Sequence, residues 1–137
     1  SLECSRSGAA AAALWATLRA VPLTRAGLGE HLAGARAAAV ALAARLAALD
    51  GWKLVVPPDL DIVCWHRDLP TASAVTAATD ADFLALAERG WHVAKLRVDA
   101  ATLGVEADEP TATVLRSALM KPVHAAMVDP LVDALDA

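Results

Sequence analysis

Lysine is scarce in this chain. Only Lys53, Lys95 and Lys121 occur, against nine arginines. Any chemistry that needs a lysine amine as nucleophile therefore has three candidates. Cysteine is scarcer still. Cys4 and Cys64 are too few for a disulfide framework, and both read as reduced thiols of a cytoplasmic protein. Long apolar runs are missing too. Ala9 to Leu18 is apolar apart from Thr17 but is bracketed by Arg6 and Arg19. Ala37 to Leu49 is interrupted by Arg45. Both are too short to cross a bilayer, and no leader is expected. Charged residues make up 20 % of the chain and are scattered, with a net charge of −4. That balance gives no electrostatic footprint for nucleic acid. The four histidines, His31, His66, His92 and His124, show no metal-ligand spacing with the cysteines and no HExxH pattern. The expectation is no metal, no nucleic acid and no membrane.

What is present is a 137-residue chain, enough for one compact domain, with 57 % hydrophobic residues of which much is alanine. It opens on Ser1-Leu-Glu-Cys-Ser-Arg rather than on Met. That opening reads as the middle of something, so a fragment of a longer protein is expected. Ser7 suits the N-cap of a helix from Gly8 to about Ala20, stopped by Pro22. A longer helix is expected from about Thr24 to Leu49. Its apolar stripe is Leu28, Leu32, Ala35, Ala39, Leu42, Leu46 and Leu49, and Asp50-Gly51 ends it.

Strands follow. Trp52 to Val56 and Leu60 to Trp65 are expected to form a hairpin across Pro57, Pro58 and Asp59. After a loop rich in Thr, Ala and Pro, Asp80 is expected to cap a helix from Ala81 to Arg89, closed by Gly90. Strands are expected over Trp91 to Val98 and Thr111 to Leu119, with Ala100 to Pro110 a loop between them. Pro122 starts a helical turn, and Asp129-Pro130 is a cap-plus-N1 pair for a last helix. The order predicts an α+β fold: a mostly antiparallel four-stranded sheet with helices on one face, preceded by a long helix.

Two stretches carry a resemblance. Ser1 to Gly8, leading into Ala13-Leu-Trp-Ala-Thr-Leu-Arg19, resembles the S-R-S-G segment and the "LW.tLR" helix of group II pyridoxal-phosphate-dependent amino-acid decarboxylases. Thr113-Val-Leu-Arg-Ser-Ala-Leu-Met-Lys-Pro122 resembles that family's "LR...xNP" strand near the C-terminus. Between them, Leu60-Asp-Ile-Val-Cys-Trp65 sits where the family has its "vvCF" strand. No single motif is specific; their order and spacing together are. Lys121 departs from the pattern, which has asparagine before the proline.

The resemblance implies the C-terminal part of such a decarboxylase. Residues 1–22 would end the large cofactor-binding domain, and 23–137 would be the small domain of a fold-type-I enzyme. It implies a cytoplasmic homodimer, pyridoxal 5'-phosphate as cofactor of the complete enzyme, and an L-amino acid as substrate. The family's Schiff-base lysine follows a histidine, whereas Lys53, Lys95 and Lys121 follow Trp52, Ala94 and Met120. The chain alone is therefore expected to be inactive, with no catalytic residue of its own.

Two groups of residues are candidates for contact with small molecules. Ser5, Arg6, Ser7 and Gly8 form a helix mouth whose free N–H groups and dipole suit an anion, and the resemblance implies that this is the cofactor phosphate; the alternative is an ordinary capped helix with a surface arginine. Arg116 lies mid-strand, on the face of Val114 and Ala118, where a cation needs an anionic partner. Its planar fork suits a carboxylate, and the resemblance implies that this is the substrate's α-carboxylate; the alternative is an edge-strand arginine paired with a structural Asp or Glu. Cys64 and His66 share a strand face with no visible third group, and packing is the default for Trp15, Trp52, Trp65 and Trp91. Two other functions fit the same pattern: another fold-type-I enzyme, such as an aminotransferase or carbon–carbon lyase, or a non-catalytic α+β module that dimerises through its helix stripe.

Overall fold

The computed structural model describes residues 8–136. Among them are helices α1 (Ala9–Ala20), α2 (Glu30–Ala47), α3 (Ala72–Glu88), α4 (Ala100–Leu103) and α5 (Val128–Asp136). The strands are β1 (Trp52–Leu54), β2 (Ile62–Arg67), β3 (Ala94–Asp99) and β4 (Thr111–Ala118). All strand pairs are antiparallel, in the order β1-β2-β4-β3. The α+β expectation therefore holds. No helix among the described residues is long and apolar enough to cross a membrane.

Register decides which side chains meet. Cα partners across an antiparallel pair lie on the same face. Trp65 stands opposite both Leu54 and Leu115, and Val63 opposite Ser117. On this face Val63, Trp65 and Leu115 are fully buried against Leu42 and Leu46 of α2, Leu86 of α3, and Leu131, Val132 and Leu135 of α5. The other face carries Cys64, Arg116 and Ala94 in one row and Val114 beside Leu96 in the next. A smaller cluster gathers there: Ala112 and Val114 against Ala72 and Val75 of α3 and Ala100 of α4.

Helix α3 begins earlier than expected. Thr71, not Asp80, caps it, accepting from the Ala74 N–H at 3.2 Å. The Ser73 N–H donates to Asp108 at 3.0 Å, and the Ser73 hydroxyl donates to the same carboxylate, which holds the Asp108 carboxyl below its usual range. The stretch read as loop is alanine-rich and helix-favouring once Pro70 and Thr71 have set its start. The Thr113 N–H donates to Thr76 Oγ1 at 3.0 Å, tying α3 to β4. At the far end Arg67 of β2 holds Asp82 through two 2.9 Å hydrogen bonds and stacks on Trp52 at 3.9 Å. That anchor carries β2 two residues past the Trp65 limit predicted for it.

The long second helix is broken. A wide turn spans Arg25–Gly29, and Gly27 leaves helical geometry at φ −103, ψ −108. A Cβ at Gly27 would lie 2.2 Å from the Pro22 carbonyl oxygen, so only glycine permits this close approach. Burial on α2 begins at Ala38, while Leu28 and Leu32 are exposed. The predicted stripe is thus buried only in its second half. Helix α1 buries no residue, and Leu14 and Trp15 face outward. Two further expectations shift. Ala100–Leu103 is a short helix rather than loop, and α5 starts at Val128, which places Asp129 inside its first turn instead of at its cap.

His66 gives the fold a pH dependence. It is 1 % exposed, and its Nδ1 lies 2.7 Å from the Arg67 carbonyl oxygen. Burial pushes its imidazole below the ordinary 6.5. The native state then binds fewer protons than the unfolded one, so stability falls as pH drops below about 6.5, by at most about 1.4 kcal/mol per pH unit for one proton. Urea midpoints between pH 7.5 and 5 are expected to fall more steeply for the parent chain than for His66→Phe. Parallel slopes would exclude His66 as the source.

Candidate functional site

Among the described residues Arg116 is a half-buried cation with a buried, unpartnered side-chain nitrogen. The lysines that could compete for attention are spoken for or exposed. Lys53 pairs with Asp68 at 2.7 Å, Lys95 with Asp80 at 2.8 Å, and Lys121 is exposed. Arg45 pairs with Asp129. Arg116 is half-buried, and among the described residues it has no ion-pair or hydrogen-bond partner. Its Nε is buried and without a partner. The strand explains the position: β4 runs between β2 and β3, so Arg116 is flanked by Cys64 on one side and Ala94 on the other. Neither neighbour offers an anion. Burial raises the Cys64 thiol above its usual range, and the charge of Arg116 opposes this only as the smaller influence. Cys64 is thus a neutral thiol beside the guanidinium, not a thiolate partner or nucleophile. A half-buried cation whose Nε is shielded from water without an acceptor is suited to an anion arriving from outside.

The surroundings of Arg116 are a notch at the start of β3. It has a volume of about 250 Å³ and is lined by His92, Val93, Ala94, Ser117, Ala118 and His124 besides Arg116 itself. No aspartate or glutamate lines it. His124 sits on the helical turn Pro122–Met127, where its Nδ1 accepts a long hydrogen bond, 3.4 Å, from the Lys121 N–H. In the neutral ring that assigns the remaining proton to Nε2, which stays available as a donor. The notch is thus rich in donors and lacks competing carboxylates.

Of the helix mouth at the other end of the chain only Gly8 is described. Ser5, Arg6 and Ser7 lie outside the described residues. Gly8 is exposed, has helical φ and ψ, and would meet nothing within 4 Å if it carried a Cβ. It does not line the notch. Of the residues singled out in the sequence Arg116 lines the notch; His92 and His124, read there only as lacking metal-ligand spacing, line it too, from the approach to β3 and from the turn after β4. Their separation along the chain follows no metal or catalytic spacing, so no local signal marks them. Among the described residues no three His, Cys, Asp or Glu side chains cluster as metal ligands would.

No protein-family model matches the sequence, and no curated protein does. Solved structures do match. Oryza sativa TDC with PLP superposes with a TM-score of 0.64 at 20 % identity, over 89 % of this chain and 25 % of that one. Catharanthus roseus tryptophan decarboxylase in complex with L-tryptophan gives 0.63 at 22 %, over 89 % and 25 %. The glutamate decarboxylase domain of a diaminobutyrate-pyruvate transaminase and L-2,4-diaminobutyrate decarboxylase from Vibrio parahaemolyticus gives 0.59 at 16 %, over 89 % and 24 %. At these identities the likeness is one of fold. The chain spans about a quarter of the length of the solved chains it matches, and it has the fold of a quarter-length portion of these decarboxylases.

Proposed function

We propose that this chain is the C-terminal part of a group II pyridoxal-phosphate-dependent decarboxylase that converts an L-amino acid to its amine and carbon dioxide. Residues 1–22 close the large domain and 23–137 form the small one. The observation that carries the reading is the unpartnered guanidinium of Arg116 in a carboxylate-free notch, on a fold that matches such enzymes over 89 % of the chain. Arg116 accepts the substrate carboxylate through its planar fork and fixes its orientation. In such enzymes the cofactor supplies the electron sink.

The described residues do not by themselves fit the cofactor. Pyridoxal phosphate needs a lysine amine directed into a pocket. Here Lys53 and Lys95 are committed to surface ion pairs, and Lys121 is exposed. The cofactor's lysine therefore belongs to a preceding portion of the protein, and this portion alone is inactive. Ser5 to Gly8 would brace the phosphate, across a cytoplasmic homodimer. Two measurements test the proposal. The coding sequence upstream of Ser1 is expected to contain a His-Lys pair in a decarboxylase context. The 137-residue chain mixed with pyridoxal phosphate and borohydride is expected to give no stoichiometric adduct. A site-specific adduct on one of its three lysines, or an unrelated upstream sequence, would contradict the reading.

A further inference from the structure

The notch around Arg116 does not end at its polar rim. It shares His92, Val93, Ser117 and His124 with a second depression of about 250 Å³ on the other side of the strand end. That chamber is walled by Leu42 of α2, Trp91, Leu119, Met127 and Leu131 of α5. It too has no acidic residue in its lining. Trp91 and Val93 are only partly buried although they pack on the main core. Arg116 lines the notch and not the chamber, but the four shared residues join the two, so that an apolar wall that recognises an apolar body adjoins a cation that recognises an anionic head.

We infer that notch and chamber form one site for a small amphipathic carboxylate. The carboxylate is held by Arg116, with His124 Nε2 as a second donor, and the apolar tail lies in the chamber against Trp91, Leu131 and Met127. The inference rests on the reading of Arg116 as a carboxylate binder and adds the place of the tail. Strand β3 pairs with β4 only from Ala94 onward, and Ser117 and Ala118, beyond that pairing, line the opening together with His92 and Val93. An apolar chamber near the lower end of ligand-pocket volumes suits a short aliphatic chain or one aromatic ring, not a lipid or a peptide.

Calorimetric titration of the full chain tests this with butyrate, hexanoate, 4-phenylbutyrate and the neutral 4-phenylbutyramide. Affinity is expected to rise about fourfold per added methylene, as burial of each in an apolar wall predicts. The amide is expected to bind about tenfold or more weakly than its acid, and Arg116→Gln to remove that difference. Met127→Trp fills the chamber from a half-exposed position and is expected to flatten the dependence on tail length while leaving the charge preference. Loss of the length dependence in the parent chain, with the Arg116 effect intact, overturns the chamber and leaves Arg116 standing. A length dependence that ignores Arg116→Gln overturns the Arg116 reading and this site with it. No saturable binding of 4-phenylbutyrate below about 10 mM overturns the site as a whole.

Discussion

Trp65→Ala is expected to cost about 3–5 kcal/mol, a large share of the whole stability of a domain this size. Trp65 is fully buried between Leu54 and Leu115 and stands on the face that α2, α3 and α5 share. Removing the indole leaves a void that three helices and two strands would have to close together. The same residue offers a control. Its Nε1–H is buried without a partner, and an unpaired buried donor costs roughly 1–3 kcal/mol. Trp65→Phe keeps most of the ring and deletes that donor. Its net loss is expected to stay near about 1 kcal/mol, because the gain from the donor offsets part of the lost packing. Urea denaturation of both variants measures the contrast. Equal losses would mean that the indole nitrogen is satisfied in solution, or that the ring is not central to the core.

Under the proposed decarboxylase reading, Arg116→Gln in the complete enzyme is expected to lower kcat/KM for amino-acid decarboxylation on the order of a hundredfold. The basis is the loss of a charge-assisted, two-pronged contact worth about 3 kcal/mol. Arg116→Lys keeps the charge and loses the fork, so it should recover only a minor part of the activity. Stability should move the other way. Arg116 has no partner among the described residues, so replacing it with an uncharged side chain removes a desolvation cost. Activity lost with stability kept or raised separates a ligand-binding arginine from a structural one. Activity and stability lost together would mark Arg116 as part of the scaffold.

Much of this was readable in the sequence, for physical reasons that differ by element. Strand β4 was legible because Thr111 to Leu119 is bounded by Pro110 and Pro122, and the two-residue period of a strand put Arg116 on the face of Val114 and Ala118. The hairpin of β1 and β2 was legible from its prolines. The second half of helix α3 was legible but its first half was not, because Ala72 to Thr79 is mostly alanine and threonine without a period. What fixes its start is Thr71 accepting from Ala74 and Asp108 reaching Ser73 from thirty-five residues away. The apolar stripe expected from Leu28 to Leu49 misled for a related reason: periodicity reports which residues could be buried, and Leu28 and Leu32 stay exposed. The chamber beside Arg116 left no mark at all. Trp91, His92, His124 and Met127 meet only because β3 starts late and the turn after β4 folds back toward α2.

The central claim is that Arg116 waits for an anion from outside the fold. Nitrogen-15 NMR of the arginine Nε–H signals, with the Arg116 resonance assigned through Arg116→Gln, tests it most directly. A saturable shift of that one resonance on adding 4-phenylbutyrate, and none with 4-phenylbutyramide, is the predicted result. No shift with either, or the same shift with both, would contradict it.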